Sequence, residues 1–150
     1  CWEGFDTAIE TTMYGDWEKI ESILESTYTA FVDLKFIDSK KHKQYTGVSN
    51  ERILENIKKA GSTKNEYKLI IRTPLVPGVN DSKEELEAIG RFLSDLPGVD
   101  HLQLLPYHRL GTDTYRKLGI PYLLSDVESP SQEHMDWCRS VVGNYLEYVI

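Results

Sequence analysis

Hydrophobic and polar positions along the chain follow two alternating rhythms. Four short, dense runs of apolar, β-branched and aromatic residues stand out: Phe5 to Thr11, Thr29 to Lys35, Tyr67 to Thr73 and Val99 to Leu105. Each is bounded by turn residues, the pattern of strands buried on both faces. The segments between them have helical spacing. Trp17, Ile20 and Leu24 recur behind Asp16, a predicted N-cap. Ile53, Leu54, Ile57 and Ala60 follow Ser49-Asn50 and stop at Gly61, which the pattern places just past a helix end. Ser82-Lys83-Glu84-Glu85 reads as a capping box, and Leu86, Ile89, Leu93 and Leu96 then form one face before Pro97-Gly98. Met135, Cys138, Val142 and Tyr145 mark a last helix after Ser129-Pro130-Ser131. The longest irregular stretch, His108 to Ser131, is interrupted only by a short helix near Thr114 to Leu118.

Strand–helix alternation at this spacing predicts an α/β fold. Four parallel strands with helices on the outer face would form part of a (βα) barrel. No internal repeat, low-complexity tract or linker divides the chain, so one domain is expected over residues 1–150.

Composition narrows the class. With 150 residues, 40% of them hydrophobic, the chain can bury a core, so wholesale disorder is excluded. Its apolar runs are too short to span a bilayer, and no signal peptide opens it. A net charge of -7 argues against nucleic acid and anionic membranes as partners. Two cysteines, Cys1 and Cys138, make neither a disulfide framework nor a metal cluster. A cytoplasmic location is the expectation.

Ligands of parallel α/β sheets bind at the carboxyl ends of the strands. Here the strand interiors are apolar, and every carboxyl end carries an ionisable group: Glu10, then Asp33 and Lys35, then Arg72, then His108. Asp33 and Lys35 are two residues apart and share a face. They suit a zwitterionic ligand or a carboxylate with a bound cation, or else form a structural ion pair. Arg72 is either a bidentate clamp for a carboxylate or phosphate, or a salt-bridge partner within the mouth. His108 is a ligand contact, an acid/base group or a hydrogen-bonded loop residue. Asp38 and His42 predict a small polar cluster shaping a loop, and Cys138 lies on a core stripe.

Five segments in order resemble one family. They are Asp33-Leu34-Lys35; Asp38 and His42 with Thr46-Gly47-Val48-Ser49-Asn50; Ile71-Arg72-Thr73-Pro74-Leu75-Val76-Pro77-Gly78; Asn80-Asp81; and Leu104-Leu105-Pro106-Tyr107-His108 with Gly111. Together they look like the radical S-adenosylmethionine activating enzymes of glycyl radical enzymes. The resemblance implies the C-terminal part of a partial (βα)6 barrel. It further implies S-adenosylmethionine and a 4Fe-4S cluster as cofactors, and a glycyl radical enzyme of the pyruvate formate-lyase type as partner. Glu10, Thr11, Asp33, Leu34, Lys35, Arg72 and His108 match cofactor-binding positions, with the backbone near Pro74 lining the pocket. Glu10 and Asp33 match the site of a monovalent cation, although Glu10 is longer than the aspartate of the best-known member.

The family's CxxxCxxC loop and its glycine-rich segment after the second strand are absent from this sequence. The cluster ligands are therefore missing, and the chain alone is expected to be inactive. With two strands missing, the edge at Phe5 to Thr11 is expected to be covered, by self-association among other routes. Two rival readings remain: an aldolase-like lyase with Lys35 as a Schiff-base amine, and a non-catalytic binding module docking through the sheet edge or the loop from His108 to Ser131.

Overall fold

The computed structural model describes residues 4–150; Cys1 lies outside the described residues. Four strands form one wholly parallel sheet in the order β1-β2-β3-β4, comprising β1 (Ala8–Thr11), β2 (Thr29–Asp33), β3 (Lys68–Leu75) and β4 (His101–Pro106). Six helices accompany them: α1 (Trp17–Leu24), α2 (Ser39–Thr46), α3 (Glu51–Gly61), α4 (Lys83–Ser94), α5 (Thr112–Leu118) and α6 (Gln132–Gly143). The fold is the predicted partial (βα) barrel. No helix among the described residues is long and apolar enough to cross a membrane.

The strands are not buried on both faces as predicted. Along β2 and β3 fully buried positions alternate strictly with half-buried ones. Ala30, Val32, Leu69, Ile71, Leu75, Leu102 and Leu104 point to the helix side. There they meet Leu24, Ile53, Ile57, Leu86, Ile89, Leu93, Met135, Cys138 and Val142 in one core. Burying each large aliphatic side chain contributes about 1.5–3 kcal/mol. Helices cover that face only, and four strands do not close around the other. The opposite face, carrying Phe31, Asp33, Ile70, Arg72 and Gln103, stays half-buried.

Three local expectations change. Residues 39–46, predicted as loop, form α2. Asp38 accepts the Lys41 N–H as its N-cap, and Gly47 ends the helix in the left-handed conformation at φ 84°. Gly61, predicted to sit beyond the helix end, is the last residue of α3. A Cβ there would lie 3.1 Å from Leu96 Cβ, so close packing rather than backbone freedom favours glycine. The capping box is half formed: Ser82 accepts the Glu85 N–H, but the buried Glu85 carboxylate accepts the Ile37 N–H instead. The strands also begin later than predicted, at Ala8, Lys68 and His101.

The two sheet edges differ. The outer edge of β4 is taken by the C-terminal residues: Leu102 N–H donates to Tyr148 O (3.0 Å), Ile150 N–H to Leu102 O (2.9 Å) and Leu104 N–H to Ile150 O (2.9 Å). β1 pairs with β2 alone among the described residues.

Candidate functional site

Parallel register sets the site. Glu10 lies beside Phe31, Asp33 beside Arg72 and Arg72 beside Gln103, all on the face without helices. Arg72 lays its side chain across β2, with its guanidinium carbon 5.0 Å from the centre of the Phe31 ring. Beyond that ring it grips Glu10 with both terminal nitrogens: Nη1 to Oε1 and Nη2 to Oε2 are each 3.0 Å. Its Nε is 3.6 Å from Asp33 Oδ1, too long for a hydrogen bond, and is a buried donor without a partner. Lys35 Nζ donates to Asp33 Oδ2 at 2.9 Å. The result is one ionic row, Glu10–Arg72–Asp33–Lys35, crossing three strands. The hydrogen bond from Arg72, and then its charge, hold the Glu10 carboxyl below its usual range. The same contact raises Arg72.

Lys35 also lines a cavity of about 550 Å³ at the carboxyl ends of β2 and β3. One wall is Phe36, Tyr45 and Thr46 of the β2–α2 region, and the floor is Pro74, Val76 and Asn80. The opposite wall is Tyr115 with the segment Ile120 to Leu124. Tyr107 pins that segment: Tyr122 O–H donates to its phenol oxygen (2.6 Å), and Tyr107 O–H donates to Leu124 O (3.1 Å). Burial, and then the bond with Tyr122, push the Tyr107 phenol up to about 12. Asn80 fixes the floor. Its Nδ2 donates to Lys35 O (3.0 Å) and Pro74 O (2.8 Å), and its Oδ1 accepts Val76 N–H (2.8 Å).

Four of the predicted residues come together, namely Glu10, Asp33, Lys35 and Arg72. Three stand apart. Thr11 points to the helix side, where its Oγ1 accepts Met13 N–H (3.0 Å) and caps the turn after β1. Met13 in that turn adopts φ 54°, unusual for a residue with a side chain, and Asn56 Nδ2 holds its carbonyl at 2.9 Å. Leu34 is buried on the helix side and is fixed through its backbone to Arg72 O and Thr73 Oγ1. His108 follows β4 at the correct end of the sheet, but its ring is exposed and makes no hydrogen bond among the described residues. His42, predicted to cluster with Asp38, is buried and bonds through Nδ1 to Val48 O (2.8 Å) and Thr46 Oγ1 (3.0 Å). The sequence reading missed Asn80 and the aromatic walls. Asn80 was named only within a segment of the family resemblance, with no role of its own, and Tyr45 and Tyr115 lie in segments without an apolar rhythm.

No protein-family model matches the chain. Curated relatives do. An isethionate sulfite-lyase activating enzyme from Oleidesulfovibrio alaskensis is 45% identical over 73% of this chain and 35% of its own length. A (2S)-3-sulfopropanediol dehydratase activating enzyme from Klebsiella oxytoca is 38% identical over 84% of this chain and 40% of its own. A 4-hydroxyphenylacetate decarboxylase activating enzyme from Clostridioides difficile is 37% identical over 90% and 42%. The chain thus spans less than half the length of these relatives. Among solved structures, a domain of a pyruvate-formate lyase-activating enzyme from Bacteroides vulgatus superposes with a TM-score of 0.79 at 26% identity, over 99% of this chain and 82% of that one.

Proposed function

We propose, for a chain whose sequence and fold closely resemble those of the activating enzymes of glycyl radical enzymes, that it forms the C-terminal wall of an S-adenosylmethionine pocket. The observation that carries this is the ionic row on the open sheet face, which leads through Lys35 into the cavity. A methionyl group presents a carboxylate and an ammonium side by side, and the Asp33–Lys35 pair offers the complementary charges in the same arrangement. Arg72 Nε supplies an unused donor between the carboxylates. Aromatic and apolar walls around Phe36, Tyr45, Tyr115 and Tyr122 suit a flat nucleobase. His108, exposed after β4 at the same end of the sheet, is the proposed contact to a bound ligand from that strand. In this family S-adenosylmethionine is the source of the radical that takes hydrogen from a partner's glycine.

The cluster does not fit the described residues. No three His, Cys, Asp or Glu side chains among them are placed to hold a metal. Burial pushes the Cys138 thiol up to about 11, far from the thiolate that iron requires. The proposed role of this chain is therefore binding and orienting the cofactor, with turnover requiring cluster ligands it does not contain. The relatives named above serve different glycyl radical enzymes, so the proposed partner is that class rather than a pyruvate formate-lyase alone. The Schiff-base alternative is disfavoured by geometry. An amine attacking a carbonyl must be free to reach it, whereas Lys35 Nζ is engaged by the Asp33 carboxylate at 2.9 Å.

Calorimetric titration of S-adenosylmethionine into the chain tests the reading. Weak saturable binding is expected, reduced by Lys35→Ala. No saturable heat, or affinity unchanged by that substitution, would overturn it.

A further inference from the structure

The family resemblance places a monovalent cation between Glu10 and Asp33, and the geometry of those two carboxylates does not fit one. A hard cation needs several oxygen ligands with free lone pairs facing it. Both Glu10 oxygens accept from Arg72 at 3.0 Å, and Asp33 Oδ2 accepts from Lys35 at 2.9 Å. The remaining oxygen, Asp33 Oδ1, faces Arg72 Nε at 3.6 Å. A metal ion entering here would sit against two fixed positive groups in a partly desolvated site. Among the described residues no third acidic or histidine side chain completes a metal-binding group at this place.

We propose that Arg72 is a built-in replacement for the cation: its guanidinium, laid over Phe31, carries the positive charge that joins Glu10 to Asp33, and the pocket works without a bound alkali-metal ion. The reach of the side chains makes this specific. Glu10 and Arg72 belong to β1 and β3, separated by β2, so their backbones are roughly 9–10 Å apart across two strand spacings. Arg72 crosses most of that gap and the extra methylene of glutamate closes the rest. An aspartate at position 10 would draw its oxygens back by more than a hydrogen bond tolerates. The guanidinium fork then satisfies both carboxylate oxygens in one plane, which a spherical ion does not require. The side chain of Arg72 is only 16% exposed while that of Glu10 is 69% exposed, so the bridge is anchored at its arginine end. Glutamate at position 10 and arginine at position 72 thus act as a matched pair. The inference deepens the S-adenosylmethionine reading by stating what that pocket does not need.

The test is a thallium(I) NMR titration of the chain and its variants, with thallium as the potassium surrogate and no S-adenosylmethionine present. The quantity scored is the binding that Glu10→Gln removes. The wild-type chain is expected to show none. Arg72→Gln and Glu10→Asp, which open the bridge from opposite ends, are each expected to gain saturable binding in the concentration range where wild type shows none. Circular dichroism checks that each variant is folded, and either variant alone suffices. Wild-type binding that Glu10→Gln abolishes overturns the proposal. Silence in wild type and in every folded variant also overturns it, because Arg72 would then not be what keeps the ion out. Because the assay contains no S-adenosylmethionine, it stands apart from the calorimetry, which alone decides the cofactor reading.

Discussion

Asn80 carries more of the site than its place in a turn suggests, and its removal has a calculable effect. It is 2% exposed and makes three hydrogen bonds, two donated to Lys35 O and Pro74 O and one accepted from Val76 N–H. Asn80→Ala leaves one amide and two carbonyls without these partners in a poorly hydrated place. At about 1–3 kcal/mol for each unsatisfied buried group, partly relieved by water entering the cavity beside it, the expected loss is about 3–5 kcal/mol. For a chain of this size each kcal/mol lowers Tm by about 2–4 °C, so a fall of roughly 10 °C is expected. Asn80→Asp separates the donors from the acceptor. It keeps the bond from Val76 N–H, but turns a carboxylate oxygen toward two carbonyl oxygens. It should be at least as destabilising as alanine at neutral pH, and recover in acid when the introduced carboxyl regains a proton to donate. Urea unfolding followed by circular dichroism reads both, with the midpoint shifting and the slope unchanged. A loss under about 1 kcal/mol for either variant, or an aspartate variant as stable as wild type, would refute the reasoning.

Other outcomes follow from single contacts. Gly98→Ala would put a Cβ 2.0 Å from Thr63 O and should destabilise by more than about 3 kcal/mol, whereas Gly143→Ala meets nothing within 4 Å and should stabilise by about 0.5–1 kcal/mol; thermal melts compare them. The Glu51 carboxyl is held down to about 2, first by the Ser39 hydroxyl and then by Ser49. A depressed folded value favours the native state above the unfolded value of 4.5, and that contribution disappears as pH falls toward 2. Carbon-13 titration should show the low midpoint in wild type and a rise toward 4.5 in Ser39→Ala. Cys138, buried with its thiol raised to about 11, should resist iodoacetamide at pH 8 in the native chain and react on unfolding, as read by peptide mass mapping.

The fold was legible because its signals repeat. Each strand is a compact run with apolar residues at its centre, and each long helix has an apolar stripe behind a polar N-terminal residue. What escaped had no such signal. α2 reads Ser-Lys-Lys-His-Lys-Gln-Tyr-Thr and has no apolar stripe, so only its ends, Asp38 and Gly47, announced a helix. The strand starts were placed too early at Phe5, Tyr67 and Val99, because aromatic and β-branched residues also occupy turns. Glu85 matched a capping-box position, but the Ile37 amide outcompeted its own helix for the carboxylate. The shared face of Asp33 and Lys35 followed from strand periodicity. The grip of Arg72 on Glu10 did not, because it depends on which strands are neighbours and passes over an intervening one.

The unequal sheet margins have a further consequence. Tyr148 to Ile150 hydrogen-bond along the β4 side, so among the described residues β1 is the strand with an uncovered margin. Among the described residues, pairing the β1 margin with the same margin of a twin closes on itself, so association by this route gives a pair rather than a fibre.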